Sequence, residues 1–310
     1  MSETKLSEKN VVGTSLIVSI SDVGLNLIVG LITGSQSVIA QSLQGLSDLM
    51  TAIILYAGVL RSARKPDRKH PLGYGREIFF WVLLASVLMF VGTGLVTLFL
   101  GMRQILFPHV VENIPLALGM LIFGLVTNLY AFSKSWKRFG QQAGRKSIGK
   151  YFLESAIVET KATFIVDFLG TISAIFGIFA LVIYSLTGIV AFDGLGAVMV
   201  GLSMMVAAIV LLLDVRALIV GKSVPANISA RIRKATLTHP QVEEILELRS
   251  IYLGSKNILV LLELHLKENL NTNQIEKLID HIQADIKKSV PHTYHCQIEV
   301  ETPDHELTIP

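Results

Sequence analysis

The sequence predicts an all-α bundle of six transmembrane helices followed by a small α+β domain. Three observations carry this. The 310 residues are 51% hydrophobic and only 16% charged, with a mean hydropathy of +0.58, whereas a soluble domain carries about 25% charged residues. The charge is also unevenly spread: none falls between Glu77 and Arg103, none from Gly194 to Leu213, and Asp167 stands alone between Lys161 and Asp193. Apolar runs of roughly 18 residues or more are long enough to cross a hydrocarbon core of about 30 Å. Beyond Gly221 the composition turns to that of soluble sequence, as in ARIRKATLTHPQVEEILELRS. Residues 1–221 are therefore read as the membrane domain and 222–310 as a separate domain.

The spans are placed at 11–33, 38–60, 78–106, 114–133, 155–184 and 194–219. The fifth begins with Glu154, Glu159 and Lys161, so its first turns are expected in the interface or facing water. Arg61, Arg64, Lys65, Arg68, Lys69 and Arg76 follow the second span, and Lys134, Lys137, Arg138, Arg145, Lys146 and Lys150 follow the fourth. The remaining connections lack Lys and Arg apart from Arg103. The positive-inside bias then puts both basic loops, both termini and the tail domain in the cytoplasm. The N-terminal MSETKLSEKN carries acids and no arginine, unlike a signal or transit peptide, so the first apolar segment is read as a retained helix. A bacterial inner membrane is the expected location.

Several function classes are disfavoured. The single cysteine, Cys296, rules out an intrachain disulfide and a cysteine-rich zinc site. The net charge of +3 comes with no basic run interleaved with aromatics, so nucleic acid is not the expected partner. Without a Gly-rich phosphate loop, a nucleophile–His–Asp set or an H-E-x-x-H, the chain does not read as an enzyme. Two lone acids do not build the selectivity ring of a channel.

Two apolar spans carry polar seams. In the second, Gln41, Gln44, Gly45, Asp48, Thr51 and Ala52 recur at helical spacing; in the fifth, Thr160, Thr163, Asp167, Gly170, Thr171, Ala174 and Gly177 do the same. Each seam holds one carboxylate. An Asp at the bilayer centre costs about 2.5–3.5 kcal/mol on insertion scales, faces the bundle interior and marks an ion or proton path. Small residues can instead serve close helix approach, and that reading is preferred for Gly170, Ser173, Ala174 and Gly177. Packing has no need of a carboxylate, so Asp48 and Asp167 are read as functional. Asp22 stands evenly between lining a water-filled vestibule and bonding a neighbour. Asp193 is read as a helix cap at the outer surface, and Asp214 with Arg216 as a solvated pair.

TGSQSVIAQSLQGLSD and KPDRKHPLGYGREIFFW, together with LRSIYLGSKNILVLLELHL in the tail, resemble the cation diffusion facilitator family, and HPLGYGRE–FFW is most similar to its bacterial zinc-transporter-nine-like branch. The resemblance covers almost the whole chain. It implies a homodimer, joined through the tail domain, that moves a divalent cation, typically zinc, across the lipid bilayer in exchange for protons, with no prosthetic group. The family's transport positions correspond to Gln44 and Asp48 in the second span and to Thr163 and Asp167 in the fifth. Gln44 and Thr163 stand where the family has His or Asp. Zinc favours tetrahedral sites with nitrogen or sulfur ligands, whereas an all-oxygen set suits harder ions. Three readings follow in order: a weaker zinc site completed by water, a changed preference for Mn, Fe or Mg, and a non-transporting metal-sensing or heterodimer subunit. Two close, partly desolvated carboxylates cannot both stay ionised cheaply, so cation binding would displace protons. The two faces would open alternately, as in other secondary transporters.

The resemblance also points to a loop site at Asp67 and His70, with Tyr74 where a second His is usual. A solvated turn, with Asp67 paired to nearby basic residues, is slightly preferred, and Gly73 and Gly75 are expected to launch the third span. The tail reads helix 227–238, strand 245–253, strand 258–266, helix 272–288 and strand 294–300. This αββαβ order resembles the family's ferredoxin-like dimerisation domain. His239, His265, His281, His292, His295 and Cys296 are candidate ligands there, with a surface or packing role preferred for each His.

Overall fold

The computed structural model describes residues 20–144 and 147–302. The expected span residues 11–19 and the basic residues Arg145 and Lys146 lie outside them. The helices are α1 (Ile20–Thr33), α2 (Gln36–Ser62), α3 (Glu77–Leu106), α4 (Ile114–Ala143), α5 (Ile148–Glu154), α6 (Val158–Thr187), α7 (Ala191–Val220) and α8 (Ala226–Thr236); the strands β1 (Val242–Tyr252) and β2 (Ile258–Leu266), the helix α9 (Thr272–Ser289) and the strand β3 (Thr293–Val300) follow. Five of the helices, α2, α3, α4, α6 and α7, are long and apolar enough to cross a membrane, and α1 is a shorter apolar helix. The chain divides into two compact units. One holds the described residues up to Leu60, with Phe80–Phe152 and Val158–Arg216; the other holds Arg61–Phe79, Leu153–Ile157 and the residues from Ala217 on.

Glycine decides how closely the bundle helices approach. A Cβ on Gly101 of α3 would stand 2.6 Å from the Val198 amide nitrogen of α7, and one on Gly201 of α7 would stand 2.7 Å from the Leu98 nitrogen of α3. Gly94 and Gly194 are similarly confined. Small residues that let backbones meet are the usual means of helix association in lipid. The same holds between α4 and α6, where Gly170 faces Asn128 and Gly177 faces Leu121, as the packing reading of that seam requires. Within α3 the residues Leu88–Gly94 form a π-helical turn.

The fourth span is ten residues longer than expected. Lys134, Lys137 and Arg138 lie on α4 rather than in a loop, because Phe132, Trp136 and Phe139 continue an aromatic face that meets Phe164 of α6, with Phe139 and Phe164 stacked at 4.8 Å. Asp193 does cap a helix, but that helix is α2. Its carboxylate accepts from Ser35 Oγ at 2.7 Å and from the Gln36 and Ser37 amides at 2.6 and 3.1 Å, serving the unpaired amides of that helix start. Asp214 pairs with Lys161 rather than Arg216, at 2.7 Å, and the Lys161 side chain is fully buried instead of facing water. A buried ammonium needs such a partner.

In the other unit, β1 and β2 pair antiparallel and β2 and β3 pair parallel, in the order β1-β2-β3. The αββαβ order matches expectation. β2 alternates strictly, burying Ile258, Val260, Leu262, Leu264 and Leu266, while α8 and α9 supply Ile232, Leu278, Ile282 and Ile286. A reciprocal capping box between Asn271 and Gln274 starts α9. Gly73 adopts φ +80°, which favours glycine. Gly75 serves close approach: a Cβ there would run into the Leu253 carbonyl.

Candidate cation site

The α2 seam is wider than the sequence suggests. Ser37, Gln41, Ser42, Gln44, Ser47 and Thr51 are all buried, whereas Ala52 faces outward. Gln44 is fully buried and Asp48 half-buried. One helical turn apart, they are joined directly, Gln44 Nε2 donating to Asp48 Oδ1 at 2.5 Å. Gln44 Oε1 has no hydrogen-bond partner among the described residues.

On α6, Asp167 is half-buried. It accepts a hydrogen bond from Ser135 of α4 and lies in the field of the Arg138 guanidinium. Thr163 donates its hydroxyl to the Glu159 carbonyl of its own helix at 3.0 Å. Asp48 lies within electrostatic reach of Asp167 and also of Asp22 on α1. Gln44 and Asp48 are thus in contact, Asp167 shares their field, and each carboxylate has its own hydrogen-bond donor. Among the described residues no three His, Cys, Asp or Glu side chains form a ready-made metal cluster.

The loop residues behave differently. Asp67 uses both carboxylate oxygens: Oδ1 accepts from the Lys69 and His70 amides at 2.9 and 2.7 Å, and Oδ2 accepts from the Tyr74 hydroxyl at 2.6 Å. The His70 and Tyr74 rings lie 4.2 Å apart, and His70 Nδ1 is 3.5 Å from Asp67 Oδ1. The Tyr74 hydroxyl, followed by the backbone donors, holds the Asp67 carboxyl below its ordinary range. The contacts are those of a turn, closed by Tyr74 and backbone amides rather than by the expected Arg and Lys.

In the tail, His239 Nε2 lies 3.1 Å from Asp285 and His265 Nε2 lies 3.1 Å from Glu243, so these two candidates have local acidic neighbours. Burial pushes the Cys296 thiol up to about 11, leaving it far from the thiolate that binds metal.

Sequence reasoning missed the partners. Ser135 and Asn128 approach α6 only through the fold. Asn26 could have been found: it stands one turn beyond Asp22, where the same helix face recurs.

Family comparison agrees with this architecture. The cation efflux transmembrane domain pattern matches residues 14–220, and the cation efflux protein cytoplasmic domain pattern matches residues 224–303. The chain is similar to the proton-coupled zinc antiporter SLC30A9, mitochondrial, of Xenopus laevis, at 27% identity over 79% of this chain and 45% of that protein. Its similarity to the human protein of the same name is 26%, over 78% and 44%. The chain therefore spans under half the length of these relatives. Magnetosome protein MamM of Magnetospirillum gryphiswaldense is 30% identical over 34% of each chain. With both family patterns matched in order, and five long apolar helices preceding a small α+β domain, the chain belongs to the cation diffusion facilitator family of multi-pass membrane cation efflux proteins.

Proposed function

We propose that this chain exports a divalent metal cation by proton antiport through a site between α2 and α6. Asp48 and Asp167 supply the charge, Gln44 an amide oxygen and Thr163 a hydroxyl. The observation that carries the reading is the contact of buried Gln44 with Asp48, whose carboxylate lies within electrostatic reach of Asp167, within helices otherwise poor in charge. The unpaired Gln44 oxygen adds a neutral ligand beside Asp48. A dication arriving there would compensate both carboxylates and displace protons, which the opposite face would return.

Zinc is the first choice for the cargo. Relatives named as zinc antiporters support it, and water would complete a weak zinc sphere around this oxygen set. Mn²⁺, Fe²⁺ or Mg²⁺ is the alternative that hard oxygen ligands favour. The division into a membrane domain, 1–221, and a tail, 222–310, belongs to the same proposal. So do cytoplasmic termini, placement in a bacterial inner membrane, and a homodimer joined through the tail. A cation at Asp67 and His70 would have to displace Tyr74 and two backbone amides, so the proposal keeps the cargo in the bundle. The separate hydrogen-bond donors of Asp48 and Asp167 favour a second reading, a non-transporting subunit that senses metal or completes a heterodimer.

Liposomes holding the purified protein under a pH gradient decide between them. Zinc or manganese uptake that disappears in Asp48→Asn and in Asp167→Asn supports transport through this site. Uptake that persists undiminished in both variants sinks the site, and no flux from the wild type supports the second reading.

A further inference from the structure

The bundle holds two buried acceptors, on Asp22 and Asn26, that the α2–α6 site leaves unused, in addition to the Gln44 oxygen that it takes. Asn26 of α1 is 1% exposed. Its Nδ2 donates to the Asp22 backbone carbonyl at 2.9 Å, and the Asn26 side chain also hydrogen-bonds the Asp22 carboxylate. Asn26 Oδ1, Asp22 Oδ1 and Gln44 Oε1 are all buried, and none has a hydrogen-bond partner among the described residues.

The turn of α1 that carries Asp22 touches α2. Ser42 Oγ donates to the Val23 carbonyl at 3.0 Å, and a Cβ on Gly45 would stand 2.9 Å from Val23 Cγ2. The close approach sets the Asp22 turn of α1 beside the Gly45 turn of α2, with Asp48 in electrostatic reach. The three unpaired atoms have the same character: each is an oxygen acceptor, two are neutral amides and one belongs to a carboxylate. Leaving buried acceptors unpaired costs free energy. Helix packing alone would be met more cheaply by apolar side chains of the same shape, as at Ile39 against Gly30. A partly hydrated hard dication is the ligand that carboxylate and amide oxygens together suit.

We propose that α1 forms a third wall of the cation path, with the side-chain oxygens of Asp22, Asn26 and Gln44 making a binding station for a divalent cation beside Asp48. The inference rests on reading Asp48 and Asp167 as the transport site. It makes the path a three-helix, all-oxygen route in which the cation keeps part of its water shell.

Titration of the full-length protein in detergent with Mn²⁺, followed by calorimetry, tests it. Asp22→Asn and Asn26→Leu are expected to weaken binding roughly 10–100-fold, the scale of losing a group that supports a metal site, while the metal-free unfolding midpoint does not fall. Asn26→Asp keeps an oxygen and adds charge, and is expected to bind at least as tightly as the wild type. Wild-type affinity in Asp22→Asn and Asn26→Leu, with binding lost in Asp48→Asn, overturns the α1 station and leaves the α2–α6 site standing. Wild-type affinity in Asp48→Asn and Asp167→Asn overturns the underlying site and the station with it. If Asp22→Asn does not fold, the Asn26 pair decides: equal affinity of Asn26→Leu and wild type overturns the station.

Discussion

The bundle and the tail bury polar groups in opposite ways. Among the described residues of the tail, the buried polar side chains are Thr236 and Thr293, among Ile, Leu and Val side chains. In the bundle, Asn26, Gln41, Gln44, Lys161 and Asp193 are all buried, while Phe99, Phe179, Leu186 and Val206 face outward. Water drives apolar side chains inward, as the tail shows. Lipid tails are as apolar as Leu, so the bundle gains little by burying Leu and is held by close packing and polar contacts. An acid or amide can therefore sit inside the bundle at a cost that would be out of place in the tail, and the chemistry gathers there.

The largest test of this contrast is the pair Asp48→Asn and Asp167→Asn. Metal flux in liposomes should fall by more than the roughly 10–100-fold that outer ligand-supporting groups cost, while the folded fraction in detergent changes little. Next is Lys161→Met, which removes the buried ammonium that pairs with Asp214. Its unfolding should be easier by about 3–5 kcal/mol, and Lys161→Met with Asp214→Leu should recover most of the loss; a double variant as unstable as the single one would break the picture of an ion pair that a matched apolar pair can replace. In the tail, Leu262→Ala should cost about 2–5 kcal/mol in the tail's own unfolding transition, as it would in a soluble core. A tail that tolerates it without loss would erase the contrast.

Smaller effects concern groups outside the spans. With its thiol raised to about 11 by burial, Cys296 should react with a maleimide at neutral pH only after denaturant opens the tail. Rapid labelling of native protein would contradict its burial. The smallest effect is at Asp67, whose folded carboxyl titrates below its ordinary value. Its contribution is complete above the unfolded carboxylate pKa of about 3.9 and is lost as pH falls through the lower folded value. The Tyr74 ring resonances should therefore shift only in strongly acidic solution, and should lose that shift in Asp67→Asn.

Much of the architecture was legible because periodicity and charge are local properties. The charge-free run from Gly194 to Leu213 became α7, and ILVLLELHL became β2 with every second residue buried. Where local reading fell short, a partner distant in sequence decided the outcome. Phe164 draws α4 onward past Ser133; Asp214 holds Lys161 inside; the bare amides of Gln36 and Ser37 claim Asp193. The candidate site shows the same division. Asp48 and its Gln44 neighbour could be read from one helix, but the shared field with Asp167 and the Ser135 bond could not.

Sequence alone determined that the chain enters a membrane, that two of its helices each carry one carboxylate in a polar seam, and that an αββαβ domain follows, since hydrophobic period and charge spacing act along the chain. Tertiary structure alone decided which acids are compensated and which acceptors stay unpaired. Lys161, Ser35 and Ser135 satisfy Asp214, Asp193 and Asp167, whereas Asp22, Asn26 and Gln44 keep oxygens without donors. Compensation of a buried charge depends on distances of a few ångströms between segments far apart in sequence, and only the packed helices bring them that close.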